Sequence, residues 1–153
     1  MALAGCAPAS TPVQTPATVQ PLSVSRDQFR VVEKDGVAIA CPRDWHEDPD
    51  PNLVYGVSRS DTVRIIVAVL DALPASYYEG LAARGTVTRT TIAGCPAYRN
   101  DYTYPFGNYE LTTRCITVVD GGKACHIMVL CDVAVMGAFA PTFQYVLDSL
   151  KFL

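Results

Sequence analysis

Long apolar runs, an excess of basic charge and cysteines at metal-binding spacing are all missing from this sequence. No stretch approaches the roughly 20 apolar residues that span a bilayer. The longest, Ala124 to Val135, is interrupted by His126 and Asp132 and reads as a buried strand. Lys and Arg total 12 against 15 Asp and Glu, a formal net charge of −3 carried in short, scattered runs. That leaves no basic face for nucleic acid and no polybasic patch for a membrane surface. No Cys-x-x-Cys occurs, which removes zinc ribbons and thioredoxin-type redox chemistry. Gly121-Gly122 is followed by neither a helix nor Gly-Lys-Ser/Thr, so it is a tight turn and not a phosphate cradle.

What remains is a chain of 153 residues, half of them apolar, enough for one domain with a real core. Its six cysteines are dense for a cytosolic domain of this size. The first 25 residues carry no charge, and Ala7 to Pro21 reads APASTPVQTPATVQP. Such a stretch cannot bury enough apolar surface to offset the entropy of ordering it, and its prolines stiffen it into a spacer. Just before it stands Leu3-Ala4-Gly5-Cys6, which resembles the lipobox of bacterial lipoproteins. The resemblance implies diacylation of Cys6, cleavage of a signal before it, and anchoring on the extracytoplasmic side of a bacterial membrane. The basic and apolar segments of a secretory signal do not precede it here. On the lipoprotein reading, Met1 is an introduced start or the natural start codon lies upstream; the alternative is a disordered cytosolic N-terminus with an accidental match. The expected organisation is a lipobox and tether over 1–25 and a globular domain over 26–153.

Within the domain, Phe29 to Val32 and Val37 to Cys41 read as strands around an Asp35-Gly36 hairpin turn. Pro42 ends the second, and Arg43 to Asn52 is an acidic loop. Leu53 to Ser58 and Val63 to Leu70 follow as strands; the second, RIIVAVL, reads as a central strand covered on both faces. Pro74 opens a helix that stops at Gly85, with Tyr77, Tyr78, Leu81 and Ala82 as its apolar stripe. After a short extended piece, Thr86 to Ile92, come three meandering strands: Ala97 to Tyr104, Tyr109 to Val119 and Ala124 to Val133. A helix from about Pro141 to Leu150 closes the chain, with Phe139, Phe143, Val146, Leu147 and Leu150 on one face.

Pairing Tyr104 with Tyr109 and Val119 with Ala124 sorts the meander into two faces. One carries Tyr98, Tyr102, Tyr104, Tyr109, Leu111, Cys115, Met128 and Leu130. The other carries Ile116, Val118, Cys125, Ile127, Val129 and Cys131, with Arg99, Asp101, Glu110 and Arg114 at one end. A sheet apolar on both sides needs cover on both sides. The expected fold is therefore α+β, a three-layer α/β/α sandwich around a mainly antiparallel sheet.

The order of short motifs resembles the PsbP-like family. Ala40-Cys41-Pro42-Arg43-Asp44-Trp45 is similar to its "yP-x-x-W" corner. Thr91-Ile92-Ala93-Gly94-Cys95-Pro96-Ala97-Tyr98 is similar to its "t-i-a-G-x-p-a" turn, and Val146 to Phe152 to its "ilDSfkf" ending. Together they span Phe29 to Leu153. The resemblance implies a binding scaffold without known chemistry in most members, with Pro42 and Trp45 turning the corner and plugging the core. The family includes the photosystem II P subunit, the Ran-binding Mog proteins and many bacterial lipoproteins, so it does not choose a partner.

Candidate chemistry is sparse. Asp48-x-Asp50-x-Asn52 offers alternate oxygens as calcium loops do, but Pro49 and Pro51 restrict the curl and the glycine and bidentate Glu are missing. The expected reading is a solvated loop and no metal or cofactor. His126 or His46 with Cys115 or Ser149 could form a catalytic triad, yet no nucleophile elbow or cysteine-protease signature supports one. Cys125 and Cys131, six residues apart on one strand, are separated by roughly 20 Å and cannot bridge. Cys41 and Cys95, each before a proline at a strand end, are the candidate disulfide. Tyr98, Tyr102, Tyr104, Tyr109 and Phe106 form a candidate binding surface, against the alternative that the second helix layer covers most of them. The functional expectation is a non-enzymatic, lipid-anchored envelope protein that binds a protein or small ligand. An envelope enzyme using a thiol and His126, or a self-associating structural domain, are the alternatives.

Overall fold

The computed structural model describes residues 19–153, so Cys6 and most of the expected tether lie outside the described residues. Strands β1 (Phe29–Lys34) and β2 (Val37–Pro42) pair as a hairpin. Asp35 and Gly36 both take positive φ, 53° and 85°, the mirror-image turn that matches strand twist in two-residue loops. A short C-terminal strand, β10 (Lys151–Phe152), adds to the other edge of β2 and completes a three-stranded sheet in which every β2 residue is buried. This small sheet is separate from the larger one.

The remaining strands are β3 (His46–Glu47), β4 (Tyr55–Ser60), β5 (Val63–Asp71), β6 (Thr88–Ile92), β7 (Cys95–Phe106), β8 (Tyr109–Asp120) and β9 (Lys123–Asp132). They form one antiparallel sheet in the order β3-β4-β5-β9-β8-β7-β6. Helix α1 (Ala75–Ala83) follows β5, and α2 (Met136–Asp148) follows β9. The fold is α+β, mostly antiparallel sheet with two helices.

Period-two alternation assigns the faces. Val63, Ile65 and Val67 of β5, Ile127, Val129 and Cys131 of β9, and Ile116 and Val118 of β8 pack with Phe143, Val146, Leu147 and Leu150 of α2. This is the main core, closed at the far side by β2. On the opposite face α1 lays Tyr78 against Tyr98, rings 5.1 Å apart and nearly parallel. That layer is one nine-residue helix on a seven-stranded sheet, so the second face is only partly covered. Even-numbered β5 residues Ile66 and Ala68 are half-buried, where the continuous apolar run implies full cover on both sides.

Two further differences have local causes. Helix α2 begins at Met136, five residues before the proline taken as its start, and Pro141 lies inside it. Pro141 has no N–H to donate to the helix. Beside that break, the carbonyl of Ala138 accepts the Leu22 amide at 3.0 Å, and Val24 packs on the core. Packing therefore begins a few residues ahead of Arg26. Trp45, expected to plug the core, is half-buried, edge-on to Phe139 at 5.9 Å.

Ser149 couples α2 to the small sheet: its hydroxyl accepts the Ala40 amide at 2.8 Å and donates to the Val146 carbonyl at 2.6 Å. Ser149→Ala leaves the buried Ala40 N–H unpaired, so a loss of about 1–3 kcal/mol is expected in urea unfolding. A change below 0.5 kcal/mol would mean that this N–H finds water.

Candidate functional site: a cavity under the first helix

The thin second layer leaves space. Between α1, the β5–α1 segment and the sheet lies a cavity of about 460 Å³. Leu70, Leu73, Tyr77, Tyr78 and Leu81 form one wall; Tyr98, Asn100, Cys115, Thr117 and His126 form the other. The sheet register makes the second wall: Tyr98 pairs with Thr117 and Thr117 with His126 across three strands, and Asn100 pairs with Cys115. These side chains share a face because each sits at the same parity of its strand.

The aromatic candidates divide along β7. Tyr98 is 5% exposed, held by Tyr78 and by its hydroxyl, which donates to Glu79 at 2.8 Å. That carboxylate, taking the proton's bond, pushes the phenol up from its ordinary range. Tyr102, Tyr109 and Phe106 are 46%, 51% and 56% exposed, beyond the reach of α1, and Tyr104 is half-buried beside Tyr102. The helix thus covers Tyr98 alone, and only Tyr98 of the five lines the cavity. Pattern reading missed Asn100 and the cavity-lining role of Tyr77, Tyr78 and Leu81; the helix stripe was the signal for the last three.

Cys115 and His126, one of the nucleophile–histidine pairings considered for a triad, share this wall. Their electrostatics run against nucleophilic chemistry. Burial is the largest effect on Cys115 and raises its thiol, outweighing a hydrogen bond with Tyr102. Burial also lowers His126, keeping it neutral. Thr117 Oγ1 lies 3.0 Å from its Nδ1. Since the folded imidazole takes its proton at lower pH than the unfolded one, its contribution is complete above about pH 6.5 and lost as pH falls toward the folded value. The wild-type melting temperature is expected to drop faster than that of His126→Gln between pH 7 and 5; parallel curves would contradict a desolvated His126.

The other candidates are occupied elsewhere. Ser149 is the structural link described above. Asp48 pairs with Arg64 at 2.9 Å, and Asp50 closes a turn by accepting the Asn52 amide at 2.9 Å. His46 is exposed on β3. Cys41 and Cys95 are both free thiols, so the expected bridge is not formed. Cys41 is buried in the small sheet near Arg30, Glu47 and Tyr55, whereas Cys95 opens β7 near Asp120. Burial pushes the Cys41 thiol up to about 11, and those of Cys125 and Cys131 to about 12. At the far end of β7 and β8, burial opposes the charge of Asp101, but hydrogen bonds from Arg99 and Arg114 prevail and hold its carboxyl low. Among the described residues no helix is long and apolar enough to cross a membrane.

No protein-family model and no curated protein matches the sequence. Solved structures do match. A Bacteroides thetaiotaomicron VPI-5482 crystal structure aligns with TM-score 0.61 and 15% identity over 77% of this chain and 45% of its own. This chain therefore spans under half the length of that protein. Cyanobacterial PsbP (CyanoP) from Synechocystis sp. PCC 6803 aligns with TM-score 0.59 and 11% identity, over 89% of this chain and 99% of its own. LpqN of Mycobacterium tuberculosis, described as involved in cell envelope biogenesis, gives 0.55 and 14% identity over 81% and 90%. At these identities the likeness is one of fold, and the fold is PsbP-like.

Proposed function

We propose that this chain is a lipid-anchored, extracytoplasmic binding domain, and that the cavity under α1 takes a neutral, largely apolar small molecule. The observation that carries the reading is the cavity itself. Its volume of about 460 Å³ falls within the range typical of small-molecule sites. Its walls are mostly apolar, with a few polar groups converging on the sheet side. No Lys or Arg lines it, and Asp71 at the rim is already beside Lys123, 3.7 Å away. An anionic ligand would find no counter-charge inside, and desolvating an unpaired charge is costly. A guest with an apolar body and one hydrogen-bonding group near Asn100 or His126 fits best.

Binding without turnover agrees with thiols raised by burial and a neutral histidine. Envelope location is supported by the Cys6 lipobox and by a fold shared with LpqN, whose description concerns the cell envelope. The direct test uses prodan, a neutral naphthalene carrying a carbonyl. Saturable binding with a blue-shifted emission is expected; non-saturating partition, or emission unchanged at micromolar protein, would refute the cavity reading. For the anchor, the full-length gene product expressed in a bacterial host should enter the detergent phase with a lipid-sized mass increase at Cys6. Cys6→Ser should return it to the aqueous phase.

A further inference from the structure

The geometry points to a second binding site, distinct from the cavity: the free edge of β6, where an extended peptide strand of a partner protein would add to the sheet. Among the described residues β6 is the last strand in the seven-stranded order and pairs with β7 alone. It joins β7 through the two-residue turn Ala93-Gly94, with φ of 54° and 76°. Residues flanking such a turn exchange both backbone hydrogen bonds, so Ile92/Cys95, Thr90/Ala97 and Thr88/Arg99 are the bonded pairs. The N–H and C=O groups of Arg89 and Thr91 consequently face away from the sheet.

Natural edges are commonly blunted by proline, bulges or inward charges. β6 has neither a proline nor a register shift, and its residues are Thr, Arg, Thr, Thr and Ile. Its one charge, Arg89, points to the α1 side, where it is paired with Glu79. Thr88, Thr90 and Ile92 point the other way, into a groove of about 420 Å³ between the edge and α2. Ile116 and Leu147 give this groove a buried apolar floor, Gln144 and Asp148 form its far wall, and Arg99, which also lines it, is already paired with Asp101. Edge strand plus helix wall is the arrangement in which an added strand gains backbone hydrogen bonds and seats alternate side chains.

The occupant follows from these features. Side chains directed at α2 should be small or β-branched, to lie over Ile116 and Leu147. A basic residue fits beside Asp148, one of whose oxygens is held by Gln144 at 2.8 Å while the other has no protein partner among the described residues. A second copy pairing edge to edge would present its own Thr88, Thr90 and Ile92 on the α2 side, with no basic residue from that strand for Asp148. A partner's peptide is therefore the assigned occupant.

The test is hydrogen exchange with the probe peptide acetyl-Thr-Lys-Thr-Val-Thr-Val-amide on the whole chain. In the free protein the Arg89 and Thr91 amides should exchange rapidly while Thr90 is protected. Saturating peptide should slow Arg89 and Thr91 at least tenfold. Thr91→Pro removes only an outward donor, so it should weaken binding at least tenfold with the melting temperature nearly unchanged. Asp148→Asn should weaken the lysine peptide several-fold and leave its Lys-to-Ala version unaffected. If Thr91→Pro fails to fold, N-methylation of alternate peptide amides, which leaves the protein intact, should abolish binding of one methylation phase alone. Unchanged exchange at millimolar peptide, equal binding of both methylation phases, or protection confined to the cavity residues would overturn the proposal. So would protection that rises with protein concentration in the absence of peptide, which would identify a second copy.

Discussion

Truncating Phe143 to alanine is expected to lower the unfolding free energy by about 3–5 kcal/mol, the usual range for removing a buried aromatic ring. Phe143 is 2% exposed, sits on the inner face of α2 and stacks at 6.3 Å on Phe139. It shares one core with the inward residues of β5, β8 and β9 and with Val37 and Ile39 of β2. Alanine is the better helix former, which returns only about 0.5 kcal/mol. Against a typical total of about 5–15 kcal/mol, the variant should be marginal at room temperature. The urea midpoint should fall with little change in slope, because the surface exposed on unfolding is nearly the same. Tyr77→Ala on α1 is the contrasting case: half-exposed over the cavity, it should shift stability by no more than about 0.5 kcal/mol. Equal losses at the two sites would contradict a core concentrated on the α2 face.

That asymmetry between faces marks how far the sequence could be read. Strand parity survived an error in register. Tyr104 pairs with Leu111 and not with Tyr109, a slip of two residues, and Val119 pairs with Ala124 as expected. Because side chains alternate with period two, an even slip leaves every residue on its face. The Asp35-Gly36 hairpin was likewise legible, since its turn chemistry is local. Long-range choices were not. Lys151-Phe152 pairs with β2 from more than a hundred residues away, and nothing in its composition announces a strand. Pro141 was a misleading signal, because proline is favoured in the first helical turn and the helix extends back past it.

The candidate site shows the same division. The tyrosines and the Cys115/His126 pair were visible as residue types on one face. Which of them share a cavity depends on how far α1 extends along that face, and no pattern within β7, β8 or β9 reports the length of cover lying over it. The aromatic strip therefore separates into Tyr98, sealed by Tyr78, and a hairpin end around Phe106 and Tyr109 that the helix does not reach. Reading Cys115 and His126 as chemistry overlooked burial. The same apolar walls that form the cavity raise the thiol and lower the imidazole, moving both away from a reactive thiolate–imidazolium pair.

Filling the cavity should separate binding from folding. Cys115→Trp places an indole at the centre of the sheet-side wall, between Asn100 and Met128 in the register. Tryptophan suits a strand, and its outer edge can shield the half-exposed Met128, so the melting temperature should change little. The indole adds roughly the volume of a small aromatic ring on the sheet-side wall of a space of about 460 Å³, where the naphthalene of prodan would lie, so the probe loses its contact with that wall. Burying ~150 Å² of apolar probe surface contributes about 3–4 kcal/mol, or several hundredfold in Kd. Blocking even half of that contact should weaken prodan at least tenfold. Asn100→Ala, which enlarges the space and removes one polar group, should weaken it by only a few-fold and shift its emission further to the blue. If Cys115→Trp folds normally and binds prodan as the parent does, the ligand lies elsewhere on the exposed end of this face, and the cavity is a packing defect of the thin helical layer.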